Sequence, residues 1–238
     1  MMAAAAARRR CSERGPGLRG HFITFEGGEG SGKSTHAAIL AQRLKALGLD
    51  VVLTREPGGS TGAEIIRHIL LSGIAKPLGA ETEAILFAAA RDDHVRNIIL
   101  PALKKGQWVI SDRFIDSTRV YQGTLGNVDQ RLIRSLERVT VGSAVPELTF
   151  ILDVPARVGL ARAKSRRKKS SADRFEAESM EYHEKLREEY CALAAAEPDR
   201  CFVIDGRAPR EVVSDRIWAI VQDRLHPERV GVPETTAP

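Results

Sequence analysis

The eight residues Gly27-Gly-Glu-Gly-Ser-Gly-Lys-Ser34 have the spacing G-x-x-x-x-G-K-S, which suits one task, holding a chain of phosphates. Glycines let backbone amides turn inward around phosphate oxygens, where side chains would block the approach. Lys33 can reach the outer phosphates, Ser34 is placed to coordinate Mg2+, and a helix opening there adds the partial positive charge of its N-terminus. The loop predicted to cradle a nucleoside triphosphate comprises Gly27, Gly28, Glu29, Gly30, Ser31, Gly32, Lys33, Ser34 and Thr35. A second reactive pair, Asp112-Arg113, ends the apolar run that starts at Trp108. There the acid could hold metal-bound water or orient Lys33, and the arginine would face the gap between a donor and an acceptor. The plain alternative for this pair is a structural salt bridge. A third feature, residues 162–169, packs six cations into eight positions, Arg162, Arg166 and Arg167 among them. By itself such a run reads as a solvated loop or a nucleic-acid patch.

Five short, nearly continuous apolar runs must position these groups: His21–Phe25, Val51–Thr54, Trp108–Ser111, Leu148–Leu152 and Phe202–Asp205. Runs of this kind suit strands buried on both faces of a parallel sheet. Helical patterns lie between them. Ala37, Leu40, Leu44 and Leu47 recur at three- and four-residue spacing before Gly48; Leu132, Ile133, Leu136 and Val139 do so within 128–141. A last helix opens with Pro209 and carries Val212, Val213, Ile217 and Ile220. Strand alternating with helix predicts an α/β fold, a doubly wound five-stranded parallel sheet flanked by helices, with ligands beyond the carboxyl ends of the strands. Both the phosphate loop and Asp112-Arg113 fall there.

The net charge of +5 is concentrated outside the predicted domain. Residues 1–20 carry +4, residues 226–238 carry −1, and the predicted domain, residues 21–225, holds only +2. So balanced a body needs no nucleic acid as partner. No apolar run approaches the roughly 18 residues needed to span a bilayer. Cys11, Cys191 and Cys201 match no metal spacing and read as reduced thiols, so a soluble cytoplasmic protein is expected. Residues 1–20 read as a disordered extension and 226–238 as a flexible tail; an organelle transit peptide is the alternative for the Arg-rich start.

The stretch Asp112-Arg-Phe-Ile-Asp-Ser117-Thr-Arg-Val-Tyr121-Gln122-Gly123 resembles the D-R-Y-x-x-S-x-x-A-Y-Q-G signature of the thymidylate kinases. Thr54-Arg-Glu-Pro-Gly-Gly59, Leu86-Phe87-Ala-Ala-Ala-Arg91-Asp-Asp-His94 and Glu147–Pro155 resemble the same family, and the likeness covers about residues 20–222. It implies a P-loop kinase with a mobile lid at about 160–176, transferring the γ-phosphoryl of ATP, with Mg2+ at Ser34 and Asp112, directly in line to dTMP. A homodimer is implied as well. Phe87 would stack on thymine, Arg91 one helical turn on would meet a base edge, and Arg113 would grip the acceptor phosphate with its planar fork. Ser117 and Thr118 would approach the base, with Gln122 a further candidate there. Tyr121 would face the sugar, Glu29 would meet its 3′-hydroxyl or a metal-bound water, and Arg55 and Pro57 would wall the pocket. The loop offers Glu29 and Ser31 but no arginine, so the lid would supply the catalytic one, as in the bacterial arrangement: Arg166 first, with Arg162 and Arg167 as alternatives. The Lys-Lys-Ser-Ser stretch lengthens this lid relative to the usual pattern. Three rival readings are a kinase for another nucleoside monophosphate or a nucleoside, a nucleic-acid-binding P-loop ATPase, and a non-catalytic nucleotide-binding regulator.

Overall fold

In the computed structural model, residues 20–166 and 175–227 are described. Five parallel strands run in the order β2-β3-β1-β4-β5: β1 Phe22–Glu26, β2 Val51–Arg55, β3 Trp108–Asp112, β4 Leu148–Asp153 and β5 Cys201–Asp205. All five predicted strands form. The register pairs Phe25 with Asp112 and with Phe150, so the ends of β3 and β4 flank the point where β1 runs into the phosphate loop.

Alternation along β1 divides the core between two faces. Ile23 and Phe25 join Ile110, Phe150 and Leu152 in one cluster. It is covered by α1 (Lys33–Ala46), through Ala37, Leu40 and Leu44, and by the C-terminal helix (Arg210–Leu225), through Val213, Ile217 and Val221. Phe22 and Val109 join a second cluster, packed by Val95 and Ile99, by Leu103 of the helix Leu100–Lys104, and by Phe114. Ile151 enters a third with Tyr121, Phe175, Leu186 and Tyr190. Burying an aromatic or branched side chain of this size stabilises the fold by roughly 1.5–3 kcal/mol, so the strand tips rest on a rigid floor.

In order, the helices are α1; α2, Thr61–Leu71; α3, Gly79–His94; α4, Leu100–Lys104; α5, Ile115–Thr118; α6, Gln130–Val141; α7, Ala156–Arg166; α8, Met180–Ala196; and α9, Arg210–Leu225. After α5 the chain widens into a π-helical stretch, Arg119–Leu125. Such widened turns often occur at functional sites.

Three sequence expectations are corrected. β2 is an edge strand, so it is only half covered and Leu53 is 46% exposed, not buried on both faces. Val139 lies on the open side of α6, 70% exposed, whereas Ile133 is buried. Pro209 caps α9 in an extended conformation and the helix itself begins at Arg210.

Candidate active site

The phosphate loop leaves β1 at Gly27, whose φ of 127° and close approach to Leu152 exclude a side chain: an added Cβ would lie 2.6 Å from the Leu152 carbonyl oxygen. The loop ends as α1 begins at Lys33, which aims that helix's N-terminus at whatever the loop holds. The buried Lys33 ammonium donates to the carbonyls of Gly27 (3.0 Å) and Gly28 (2.7 Å). Burial, with the Arg113 charge nearby, lowers its pKa to about 8. At neutral pH it is still mostly charged.

Ser34 donates a short hydrogen bond to the Asp112 carboxylate. Asp112 is thus bonded to the loop's hydroxyl, while its charge also acts on Lys33. A hydroxyl and a carboxylate oxygen in contact form a hard oxygen pair of the kind that suits Mg2+, which takes its other ligands from phosphates and water. Among the described residues no group of three or more His, Cys, Asp or Glu could hold a metal by itself. These residues therefore fit a cation that arrives with its phosphates.

Arg113 occupies the left-handed region, with φ 71°. A non-glycine residue there is strained, and tertiary bonds must hold it. Its amide donates to Phe25 O at 2.9 Å and its carbonyl accepts from Ser111 Oγ at 2.8 Å. Its guanidinium lies over the loop. Nη2 meets Glu29 Oε1 at 2.5 Å, Nη1 reaches Gly27 O and Ser117 Oγ, and the fork lies 5.2 Å over the Tyr121 ring. The structural salt bridge weighed for Asp112-Arg113 is absent, since each pairs elsewhere. For Glu29, burial would raise the pKa, but Arg113 and Lys33 outweigh it and hold the value at about 2.

Two acids outside the predicted set organise the site. Glu26, at the tip of β1, is fully buried and accepts from the amides of Phe114 (2.8 Å) and Ser117 (3.2 Å), from Ser117 Oγ (2.6 Å) and from Tyr190 OH (3.0 Å). It thereby fixes the turn that carries Arg113 and the start of α5. Burial above all, then the Asp116 charge, pushes its pKa up to about 7. Glu56 grips Arg91, with Nε at 2.8 Å from Oε2, and also receives His94, itself bonded to Thr54. Arg91 is thus 2% exposed and held on three sides, by Glu56, Phe114 O and Thr118 Oγ1, not on a solvated helix face.

Glu26 makes stability depend on pH. Its folded pKa lies above the unfolded value of 4.5, so between pH 4.5 and about 7 the folded state binds more protons and stability falls as pH rises. The ionised form costs on the order of 3 kcal/mol. In Glu26→Gln the amide oxygen can still accept and its NH2 can donate to Ser117 and Tyr190. Melting curves at pH 5 and pH 8 are expected to show a smaller decline for this variant than for wild type. An unchanged decline would assign the pH dependence to another group.

A cleft of about 320 Å³ gathers most of the predicted acceptor residues. Phe87, Arg91 and Pro57 line it, as do Thr118, Tyr121 and Gln122 from the segment after β3. Glu29, Lys33, Ser34, Asp112, Arg113 and Ser117 form its floor, and Arg166 reaches it from α7. Arg55 lines it too, although its guanidinium is half exposed and paired with Glu64 at 3.0 Å. Phe175, missed in the sequence, stands 5.3 Å from Tyr121 and 6.1 Å from Phe87, ring to ring. A second cleft, about 410 Å³, lies across the loop and is lined by Ser31, Thr35, His36, Arg162, Gly206 and Arg210. Gly30, Gly32 and Arg166 line both clefts. Arg167 lies outside the described residues.

Comparison with known proteins gives one consistent result. The family model described as Thymidylate kinase matches residues 25–217. A thymidylate kinase of Nitrobacter winogradskyi is 60% identical over 206 residues, covering 87% of this chain and 90% of its own. One from a Bradyrhizobium species is 58% identical over 213 residues, covering 90% of this chain and 94% of its own. The crystal structure of thymidylate kinase from Ehrlichia chaffeensis aligns with a TM-score of 0.68 at 34% identity, covering 85% of this chain and 99% of that one.

Proposed function

The chain belongs to the thymidylate kinase family and phosphorylates dTMP to dTDP with ATP, a step of dTTP synthesis; from that premise we propose how its residues divide the work. The acceptor occupies the 320 Å³ cleft and the donor lies across the phosphate loop toward the 410 Å³ cleft. The observation that carries this placement is the shared border: Gly30, Gly32 and Arg166 line both clefts, so two phosphate chains entering from opposite sides meet over Lys33. Transfer is direct and in line. The acceptor phosphate is already an oxyanion, so the protein's part is positioning and charge stabilisation.

Phe87 stacks on thymine, beside Phe175, and Arg91 presents its held guanidinium to the base edge, with Thr118 and Gln122 closing the pocket. Tyr121 faces the sugar, where a ribose 2′-hydroxyl would be crowded. Arg55 and Pro57 wall the cleft. Arg113 and Ser117 take the acceptor phosphate, and Glu29, released from part of its pairing with Arg113, receives the 3′-hydroxyl. The backbone of Gly27, Gly28, Gly30, Ser31 and Gly32, with Thr35, cradles the donor phosphates. Ser34 and Asp112 would hold Mg2+, which when bound would offset negative charge on the phosphates. Arg166, at the end of α7 and lining both clefts, is the arginine assigned to the developing charge; Arg162, which lines the donor-side cleft, and Arg167 are the alternatives.

No helix among the described residues is long and apolar enough to cross a membrane. We place the enzyme in the cytoplasm as a homodimer whose kinase domain is residues 21–225. No nucleic-acid partner is assigned. A coupled assay with dTMP, uridylate, guanylate and free thymidine tests the acceptor assignment. dTMP is expected to be preferred by at least about a hundredfold in kcat/KM, the scale of a site whose polar groups match one base. Equal use of guanylate would sink the base-pocket assignment, and sedimentation as a monomer would sink the dimer.

A further inference from the structure

We infer that Gly159 is a positioning residue for phosphoryl transfer: it lets α7 rest main chain to main chain on the phosphate loop, and so sets how far that helix's arginines reach over the phosphates. The inference builds on the proposed role of the α7 cations.

Gly30 stands at the crest of the loop with φ 66°. A Cβ built there would lie 1.9 Å from the Gly159 carbonyl oxygen and 3.1 Å from the Ala163 nitrogen. From the other side, a Cβ on Gly159 would lie 2.2 Å from the Glu29 carbonyl oxygen. The obstructing atoms are backbone in both directions, so no flexible side chain can swing aside. To restore ordinary contact at 3.4 Å, the helix or the loop would have to move by more than 1 Å. Local preference offers no reason for glycine inside α7, where it costs about 1 kcal/mol relative to alanine. The reason is the loop beneath it.

The helix then carries the contact to the chemistry. Arg166 lies seven residues beyond Gly159, two turns along and on the same face, and it lines both clefts. Arg162 lies three residues beyond, and its Nη1 donates to Gly206 O at 3.2 Å on the wall of the donor cleft. Across the contact is Glu29, whose carboxylate holds Arg113 and Tyr121. One glycine-on-glycine seat thus registers the donor-side cations against the acceptor-side fork.

The test is a mutant cycle on the full-length enzyme. Gly159→Ala is expected to lower kcat about 30- to 100-fold, the scale of an ångström misplacement, with KM for dTMP within about twofold. In an Arg162→Ala/Arg166→Ala background the same change should lower kcat less than about threefold, because the cations it places are gone. An equal loss in both backgrounds overturns the inference, as does a raised KM for dTMP at unchanged kcat, which would trace the effect to Glu29. If the double arginine variant alone keeps wild-type kcat, the proposed role of α7 fails first and the inference falls with it. Melting curves report folding. Should Gly159→Ala not fold, Ala163→Val, which adds bulk at the buried residue one turn along the same contact, carries the cycle with the same deciding outcomes.

Discussion

Replacing Lys33 by alanine is expected to lower kcat by about a thousandfold, the upper range for removing one preorganised charge from a transition state, while the melting temperature changes little. The ammonium is the one cation inside the loop itself, bonded to the carbonyls of Gly27 and Gly28 and lining the acceptor cleft. Its removal leaves no buried acid alone: Glu29 keeps Arg113 and Tyr121, and Asp112 keeps Ser34. Catalysis and stability therefore separate at this residue, which is not so at Glu26 or Arg91. Initial rates with saturating ATP and dTMP, beside a thermal melt, measure both. A kcat within tenfold of wild type would show that the loop does not hold the donor's outer phosphates at Lys33. Arginine in its place should not rescue, because a planar fork cannot occupy the pocket in which a compact ammonium lies between two carbonyls.

Much of this site could be read from the chain because its signals are local. The phosphate loop is eight consecutive residues, and the strands declare themselves as short apolar runs bounded by turns. What escaped depends on contacts between distant segments. Glu26 looks like the last letter of an apolar strand until Phe114, Ser117 and Tyr190, 88 to 164 residues away, converge on it. An acid closing the mostly apolar run Phe22–Phe25, just before the loop, is the hint the sequence offers. Glu56 stands between two residues that wall the cleft, and only its tertiary partners show its part: Glu56 and Pro57 are both buried, but it is Glu56 that grips Arg91. The exposure of Leu53 and Val139 was hidden for a different reason: hydrophobic pattern gives the face of an element, but not whether anything packs on that face.

The second large effect is expected at Arg113. Arg113→Ala should reduce kcat/KM for dTMP about a thousandfold, with KM for ATP within about threefold, since the fork belongs to the acceptor side of the floor. Two consequences of the substitution must be kept apart. The guanidinium that would take the acceptor phosphate is lost. Glu29, 17% exposed in its side chain, loses the partner at 2.5 Å that holds its pKa down to about 2. The φ of 71° is strained for arginine and alanine alike, so it adds nothing to the difference between wild type and variant. The first removes the grip on the acceptor phosphate; the second acts on stability and on the setting of Glu29 at the sugar. Adding Glu29→Gln to Arg113→Ala removes the stranded acid, so the double variant should regain melting temperature without regaining kcat/KM. For the wild type, stability from the Glu29–Arg113 pair is fully present above the unfolded pKa of 4.5 and is lost as pH falls toward 2; in Arg113→Ala that acid limb should shift upward. Arg113→Lys keeps the charge but not the fork, and should recover no more than about tenfold of the lost kcat/KM. Full recovery with lysine would mean that a point charge suffices, and unchanged kcat/KM in the alanine variant would remove Arg113 from the acceptor site.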